Sequence, residues 1–362
     1  MQIYEDRHAL HQIPELDFQL NKTMAYLSQA LSGLSCKVFS PMEGALTAWF
    51  DFGAESTIAF RADADALPIA EKTGAAYASQ HPGCMHACGH DGHMAILLEL
   101  ARRLDRKKNK RHNVLLVFQP AEETIGGAKL LCETGILQQH RVQALFGLHL
   151  WPGIEAGTVF SRPGELMARS SEINADIYGI SAHIAKASEG VDAVHAGTYF
   201  YLKCMQMVDS LPDDVFRLLK FGKFHSGTVR NALSAHTRLE GSLRAFADPV
   251  FDHLRNSIAE IARQTEETFG CRVELSFSGS YPAVRNPEDL YLRTSRAVSY
   301  SQLDTPFMTA EDFSWYQKFV PAQFFFLGLG DTPALHADTF DFDESILLKG
   351  ADFFEALAER FV

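Results

Sequence analysis

Eight consecutive residues, His86-Ala87-Cys88-Gly89-His90-Asp91-Gly92-His93, hold three histidines, one cysteine and one aspartate. Each of those side chains can bind a metal ion or orient a ligand that does. The next eight residues, Met94 to Ala101, are apolar except for Glu99, which predicts a largely buried helix. Metal-type ligands therefore stand at the mouth of a buried helix. A closed structural zinc site draws its ligands from short spans, commonly in Cys-x-x-Cys spacing. Here the other strong candidates are remote. They are Glu122 and Glu123 after Phe118-Gln119-Pro120-Ala121, His149 in Gly147-Leu148-His149-Leu150-Trp151, and His336 in Leu335-His336-Ala337. Ligands gathered from distant loops at the ends of core elements point to a catalytic site.

At 362 residues the chain is long for one core, and two domains are expected. A net charge of −12 argues against nucleic acid or an anionic membrane as partner. The basic run Arg102 to Arg111 reads as a solvated loop between a helix and a strand. The start, Met1-Gln2-Ile3-Tyr4-Glu5-Asp6-Arg7, is polar, and no apolar run reaches the roughly 18 residues of a membrane span. The six cysteines are scattered, as for reduced thiols, so a cytoplasmic protein is expected.

Along the chain, Arg7 to Glu15 reads as polar, with Pro14 limiting any helix. Asn21 to Leu34 has helical composition. Short strands are expected at Cys36–Phe39, Ala45–Phe52 and Thr57–Phe60, the last running into Arg61-Ala62-Asp63-Ala64-Asp65. Those two aspartates are either turn-formers or carboxylates that orient histidine ligands. Apolar strands follow at Asn113–Phe118 and Val142–Leu150, the first ending just before Glu122 and Glu123. A lone histidine such as His149 in such a strand is also what a hydrogen-bonded core histidine looks like. Strands alternating with helices indicate an α/β fold, a mostly parallel sheet with helices on both faces and ligands at strand ends. After Arg169 the pattern becomes strand, helix, two strands, helix, strand. Its long helix, Asp248 to Phe269, is capped by Asp248 and stopped by Gly270. That order matches an inserted split βαβ (ferredoxin-like) domain, over residues 172–282, with 1–171 and 283–362 forming the metal-binding domain. The return segment carries helices at Leu290–Val298, Glu311–Phe319 and Glu344–Phe361 and a buried strand at Gln323–Leu329.

Two adjacent carboxylates rarely share one task. Glu123 is read as a metal ligand and Glu122 as the general base for a metal-activated water, the alternative being a solvated acidic loop. Cys88, His90, Glu123, His149 and His336 are too many ligands for one tetrahedral zinc with an open position. They suit two divalent ions roughly 3.5–4 Å apart, with zinc, manganese and cobalt all compatible with mixed N, O and S donors.

The chain resembles the amidohydrolase branch of the dinuclear aminoacylase/carboxypeptidase metallopeptidases, which holds hippurate hydrolases, auxin-conjugate hydrolases and N-acetyldiaminopimelate deacetylases. The matching segments are Leu10-His11-Gln12-Ile13-Pro14-Glu15, Arg61 to Pro68, Met85 to His93, Phe118 to Glu123 and Thr309-Ala310-Glu311-Asp312-Phe313. The resemblance implies Cys88, His90, Glu123, His149 and His336 as ligands, Glu122 as base, and a lid that makes a homodimer. It further implies that His183 polarises the scissile carbonyl, often across the dimer interface, and that Asn231 and Arg244 hold substrate polar groups. From the residues alone these three read equally as a loop histidine, a turn residue and a strand-surface charge. Ala187-Ser188 stands where many relatives have Pro-His, and Ser181-Ala182 where Gly-Gly is usual.

The expected reaction is metal-dependent hydrolysis of the amide of a small-molecule N-acyl amino acid. N-acetyldiaminopimelate comes first, because Met167 to Glu172 looks closer to those deacetylases. The alternatives are a hippurate-type hydrolase or a dipeptidase/carboxypeptidase of the same fold, a cysteine amidase using Cys88, and a non-catalytic metal-binding protein.

Overall fold

The computed structural model describes residues 1–106 and 111–362, with side chains 279 and 280 left out. It is a mixed α/β protein whose described residues pack as two units, 1–166, 284–306 and 311–362 in the first, 167–283 and 307–310 in the second. The division falls a few residues before the expected 171/172 boundary. It also assigns Phe307 to Ala310 to the second unit. There the Ala168 N–H donates to the Thr309 carbonyl at 2.8 Å and Arg244 Nη1 to the Met308 carbonyl at 2.8 Å.

The first unit is built on an eight-stranded sheet, in the order Lys37–Phe39, Leu46–Phe50, Asn113–Gln119, Thr57–Asp63, Val142–Pro152, Ala322–Gly330, Val159–Ser161 and Ser301–Gln302. Its four middle strands are mutually parallel, and an antiparallel strand flanks them on each side. Val114, Leu115, Leu116, Val117 and Phe118 are all fully buried. A strand covered on both faces reads as a continuous apolar run, so alternation is absent from it. The register sets Asp63 beside Gln119 and His149 beside Phe326. The carboxyl ends of the parallel strands, where open α/β sheets place their sites, thus carry the polar residues.

The helix His90–Arg106 lies on this sheet, with Met94, Ala95, Leu97 and Leu98 at most 1% exposed. Met94, Leu97 and Leu98 each contribute roughly 1.5–3 kcal/mol by leaving water. Gly92 permits the close approach: a Cβ there would sit 2.6 Å from Leu150 Cδ1 and 3.0 Å from Leu347 Cδ2. The basic run does not begin as a loop. Arg102 and Arg103 belong to this helix, paired with Asp6 at 2.6 Å and with Glu99 and Asp352 at 2.9 and 2.7 Å. Its residues 107–110 lie outside the described residues.

The first helix, Gln2–His11, is the clearest departure from the sequence reading. It ends before Pro14 and buries Ile3, Asp6, Arg7, Leu10 and His11. Because three of those five are polar, no apolar stripe announces it. Glu311–Phe319, expected as a helix, is a 3-10 turn over Asp312–Lys318, which the Glu311 carboxylate caps at the Phe313 N–H, 3.1 Å away.

The second unit carries the antiparallel strands Arg272–Tyr281, Arg169–Tyr178, His236–Ala245 and Arg217–Ser226, in that sheet order. Helices Ala193–Asp209 and Asp248–Phe269 close its core, which includes Ile173, Phe200, Leu239, Leu243, Leu254 and Ile258. Asp248 is the first helical residue and does not cap, since its carboxylate receives Arg169 Nη1 at 2.8 Å. Gly270 ends the helix at φ +66°, the left-handed step that glycine adopts freely. No helix among the described residues is long and apolar enough to cross a membrane.

Candidate metal centre

Two histidines are presented with a chosen ring nitrogen. His90 Nδ1 lies 2.8 Å from the Asp65 carbonyl oxygen and His149 Nδ1 2.7 Å from that of Leu150. A carbonyl can only accept, so both Nδ1 atoms carry the proton and both Nε2 atoms keep a lone pair. His149 Nε2 is 3.5 Å from Cys88 Sγ. His90 Nε2 is buried without a hydrogen-bond partner among the described residues, at 3.8 Å from Glu123 Oε1 and 4.0 Å from Glu122 Oε2.

Cys88 and His90 face one centre because Gly89 between them turns through φ +84°, a region closed to most side chains. The donor atoms of Cys88, Glu123 and His336 lie within 4.8 Å of one another, as do those of His90, Glu122 and Glu123. Asp65 fixes the glutamate pair by accepting the Glu122 and Glu123 N–H groups at 3.0 and 3.1 Å. His336 arrives on a loop, half-exposed, at φ +65°, its N–H held by the Ala87 carbonyl at 2.8 Å. Left-handed backbone at a non-glycine residue is the kind of strain that collects at sites.

The five expected ligands therefore form one contiguous donor set. The His90 and His149 lone pairs, the Cys88 sulfur and the carboxylate oxygens converge on each other, with His336 Nε2 3.2 Å from Glu123 Oε1. The orphaned His90 Nε2 and the Glu123 Oε1, which makes no well-formed hydrogen bond, are atoms a cation would satisfy. The donor set fits two divalent metal ions.

Behind these residues lies a layer whose partners the sequence did not specify. His93 accepts the Leu150 N–H at Nε2, 2.9 Å, and donates from Nδ1 to Asp63 Oδ1 at 2.5 Å. Asp63 Oδ2 takes Arg61 Nη1 at 2.7 Å. Both His93 nitrogens and both Asp63 oxygens are hydrogen-bonded, so this pair positions its neighbours, and with His90 and His149 it places four ligand atoms within 4.8 Å of one another. Of the two readings of Asp63 and Asp65, neither is a mere turn. The buried Arg61 also donates to Gln119, Glu311 and Asp312 at 2.8, 3.0 and 2.9 Å. Glu311 and Asp312 lie with Glu122 in one buried acidic group, within 4.8 Å.

The family profile for peptidases M20/M25/M40 matches residues 59–360. The chain belongs to peptidase family M20/M25/M40. An uncharacterized hydrolase of Staphylococcus haemolyticus is 32% identical over 370 residues, covering 98% of this chain and 97% of its own. The solved structure of a dinuclear metal-binding M20 peptidase from Bacillus subtilis is similar at a TM-score of 0.86 and 27% identity, over 99% of this chain and 97% of that one. That of a candidate aminohydrolase from methicillin-resistant Staphylococcus aureus is similar at 0.92 and 28%, over 99% and 96%. As an M20 member the chain is a hydrolase acting on amide bonds.

The electrostatics of this M20 site follow from burial. Burial first, then the carboxylates of Glu311 and Glu123, push Glu122 well above the ordinary carboxylate range, which suits a group that must accept and return a proton. Burial and the neighbouring Glu123 and Glu122 hold the Cys88 thiol well above its usual value, so without a cation it is not the thiolate a cysteine amidase needs.

His86, in the same motif, is buried with neither ring nitrogen hydrogen-bonded among the described residues. Burial lowers its pKa to about 3. The unfolded chain takes up a proton there near pH 6.5, which the folded chain refuses until about pH 3. Stability is therefore lost as pH falls through that window. Denaturation midpoints at pH 7, 5 and 4 should fall less steeply in His86→Leu than in the wild type. Identical slopes would remove His86 as the cause.

His183, Asn231 and Arg244 lie in the second unit. His183 and Asn231 are exposed, His183 Nδ1 accepting the Ala185 N–H at 3.2 Å. Arg244 is partly buried, with Nη1 on the Met308 carbonyl and Nε without a partner among the described residues.

Proposed function

We propose that the chain hydrolyses the amide of N-acyl amino acids with two divalent metal ions, N-acetyldiaminopimelate being the substrate we place first. The observation that carries this reading is a ligand set of five residues with one glutamate, Glu122, beside it. Cys88 Sγ, His90 Nε2, Glu123, His149 Nε2 and His336 would hold the ions. Zinc, manganese and cobalt all suit that donor set. When bound, the pair would lower the pKa of water and polarise the amide carbonyl.

The remaining work belongs to side chains. Glu122 accepts a proton from the attacking water and returns it to the departing nitrogen, so that the C–N bond breaks to a carboxylic acid and an amine, which leave as carboxylate and ammonium once the acid proton passes to the amine. Asp65, through both glutamate N–H groups, keeps Glu122 and Glu123 apart in their roles. His183 is proposed to donate to the carbonyl oxygen, and Asn231 and Arg244 to hold the polar end of the amino acid. The second unit's strand order and its two helices support the reading of an inserted ferredoxin-like lid; a homodimer in the cytoplasm is part of the same proposal.

The Bacillus subtilis relative, a peptidase by its description, favours one second reading, a dipeptidase or carboxypeptidase. One experiment separates them. The metal-analysed protein is assayed on acetylated amino acids, including N-acetyldiaminopimelate, on hippurate and on dipeptides, before and after chelation. The proposal expects acetylated substrates to be cleaved, activity to vanish with chelator and a divalent ion to restore it. Cleavage of dipeptides alone would favour the second reading, and chelator-resistant turnover would sink both.

A further inference from the structure

The N-terminal motif around His11 contributes no ligand, yet its helix reaches both sides of the metal centre. Arg7, only 1% exposed, donates from Nε to Asp91 Oδ2 at 3.3 Å. Asp91 follows His90 on the helix His90–Arg106 and also receives His11 Nδ1 at 2.8 Å. The other end of the same guanidinium reaches the loop that carries His336. Nη2 donates to Asp341 Oδ1 at 2.5 Å and Nη1 to the Phe342 carbonyl at 3.4 Å, and the Phe342 ring lies 3.9 Å away. Tyr77 holds the second Asp341 oxygen at 2.8 Å.

We propose that Arg7 is a positioning residue for metal binding: it ties the arm bearing His90 to the loop bearing His336 and so fixes the spacing between the two ends of the ligand set. This rests on the two-cation reading above. His336 needs such a tie. Its ring is half-exposed, its backbone is left-handed, and no helix or strand lies between Gly330 and Glu344. Two backbone bonds also hold that loop, the His336 N–H on the Ala87 carbonyl at 2.8 Å and the Lys72 N–H on the Asp338 carbonyl at 2.7 Å, but its other charged tie, Lys72 Nζ to Asp338 at 2.6 Å, is a solvent-exposed pair, and such pairs hold little. The planar fork sends Nε to Asp91 at one end and Nη1 and Nη2 to the loop at the other, a span that the single nitrogen of a lysine does not have.

The test uses the full chain stripped of metal and titrated with cobalt(II). Visible absorption follows the coordination, and metal analysis counts the ions. Wild type should bind two ions. In Arg7→Met one of them should weaken by roughly 10- to 100-fold, the range found when outer partners of metal ligands are removed, while the other stays within about threefold. Arg7→Lys should restore only part of the loss. The double variant Arg7→Met/His336→Ala should be no weaker than His336→Ala alone, because residues acting through one another are not additive. General loosening of the fold would instead weaken both ions and add to the His336→Ala loss. Either result overturns the proposal. If Arg7→Met does not fold, Asp341→Asn cuts the same tie from the loop side and must produce the same one-ion loss. Fewer than two cobalt ions on the wild type would defeat the two-cation reading, and this proposal with it. Two ions there, equally weakened in Arg7→Met, defeats the proposal alone.

Discussion

Replacing Glu122 with Gln should lower turnover by roughly 10²- to 10⁴-fold, the usual worth of a positioned general base, while two metal ions stay bound. Glutamine keeps the volume and the backbone hydrogen bond from residue 122 to Asp65. It removes only the capacity to take a proton. In the wild type that capacity is shaped by burial and by Glu311 and Glu123, which hold the Glu122 carboxyl unusually basic. Glu122→Asp, which withdraws the carboxylate by one methylene, should retain part of the rate. The measurements are kcat and metal content on the same preparation. Full activity in Glu122→Gln would refute the base assignment, and loss of both ions would make Glu122 a ligand instead.

The largest effect on stability is expected at Arg61. Its guanidinium is the shared partner of Asp63, Glu311 and Asp312, and all four groups are at most 2% exposed. One guanidinium faces three carboxylates, burial pushes Glu311 and Asp312 above the ordinary carboxylate range, and the group persists because Arg61 is hydrogen-bonded to all three. Arg61→Met removes the cation and strands the carboxylates. Breaking a buried pair from one side costs about 3–5 kcal/mol, a large share of the roughly 5–15 kcal/mol that holds a typical domain together. The denaturation midpoint should fall steeply, and adding Glu311→Gln should recover part of it by deleting one stranded charge. An unchanged midpoint in Arg61→Met would mean that solvent or another cation reaches these carboxylates. Metal affinity should fall too, since Arg61 holds Asp63, which holds His93, whose Nε2 takes the Leu150 N–H beside His149.

What could be read in the chain was what repeats locally or concentrates chemistry. The buried run after His93, the unbroken apolar strand Val114 to Phe118 and the helix ending at Gly270 each follow from a one-dimensional pattern. Cys88, His90, Glu123, His149 and His336 could be picked out as candidates because they are metal-binding residue types, concentrated in one motif or set where core elements end. The helix Gln2–His11 was not legible. Its buried face is charged, and Arg7 and Asp6 are tolerable there only because Asp91, Asp341 and Arg102 come from elsewhere to meet them. The edge strand Ser301–Gln302 is two residues long and exists only through its pairing with Val159–Ser161.

The local order of residues by itself determined the α/β alternation, the switch to an antiparallel insertion after Arg169 and the identity of the atoms able to bind metal. Tertiary structure alone decided which nitrogen of each histidine is left open and which carboxylates are already spent. Asp63 and Glu123 are the same kind of group in sequence. One has both oxygens filled by Arg61 and His93, and the other leaves an oxygen toward the centre. Asp63 meets Arg61 from two residues away and His93 from 30, while Arg61 is itself held by Glu311, 250 residues on, and no local pattern encodes that such distant partners will arrive.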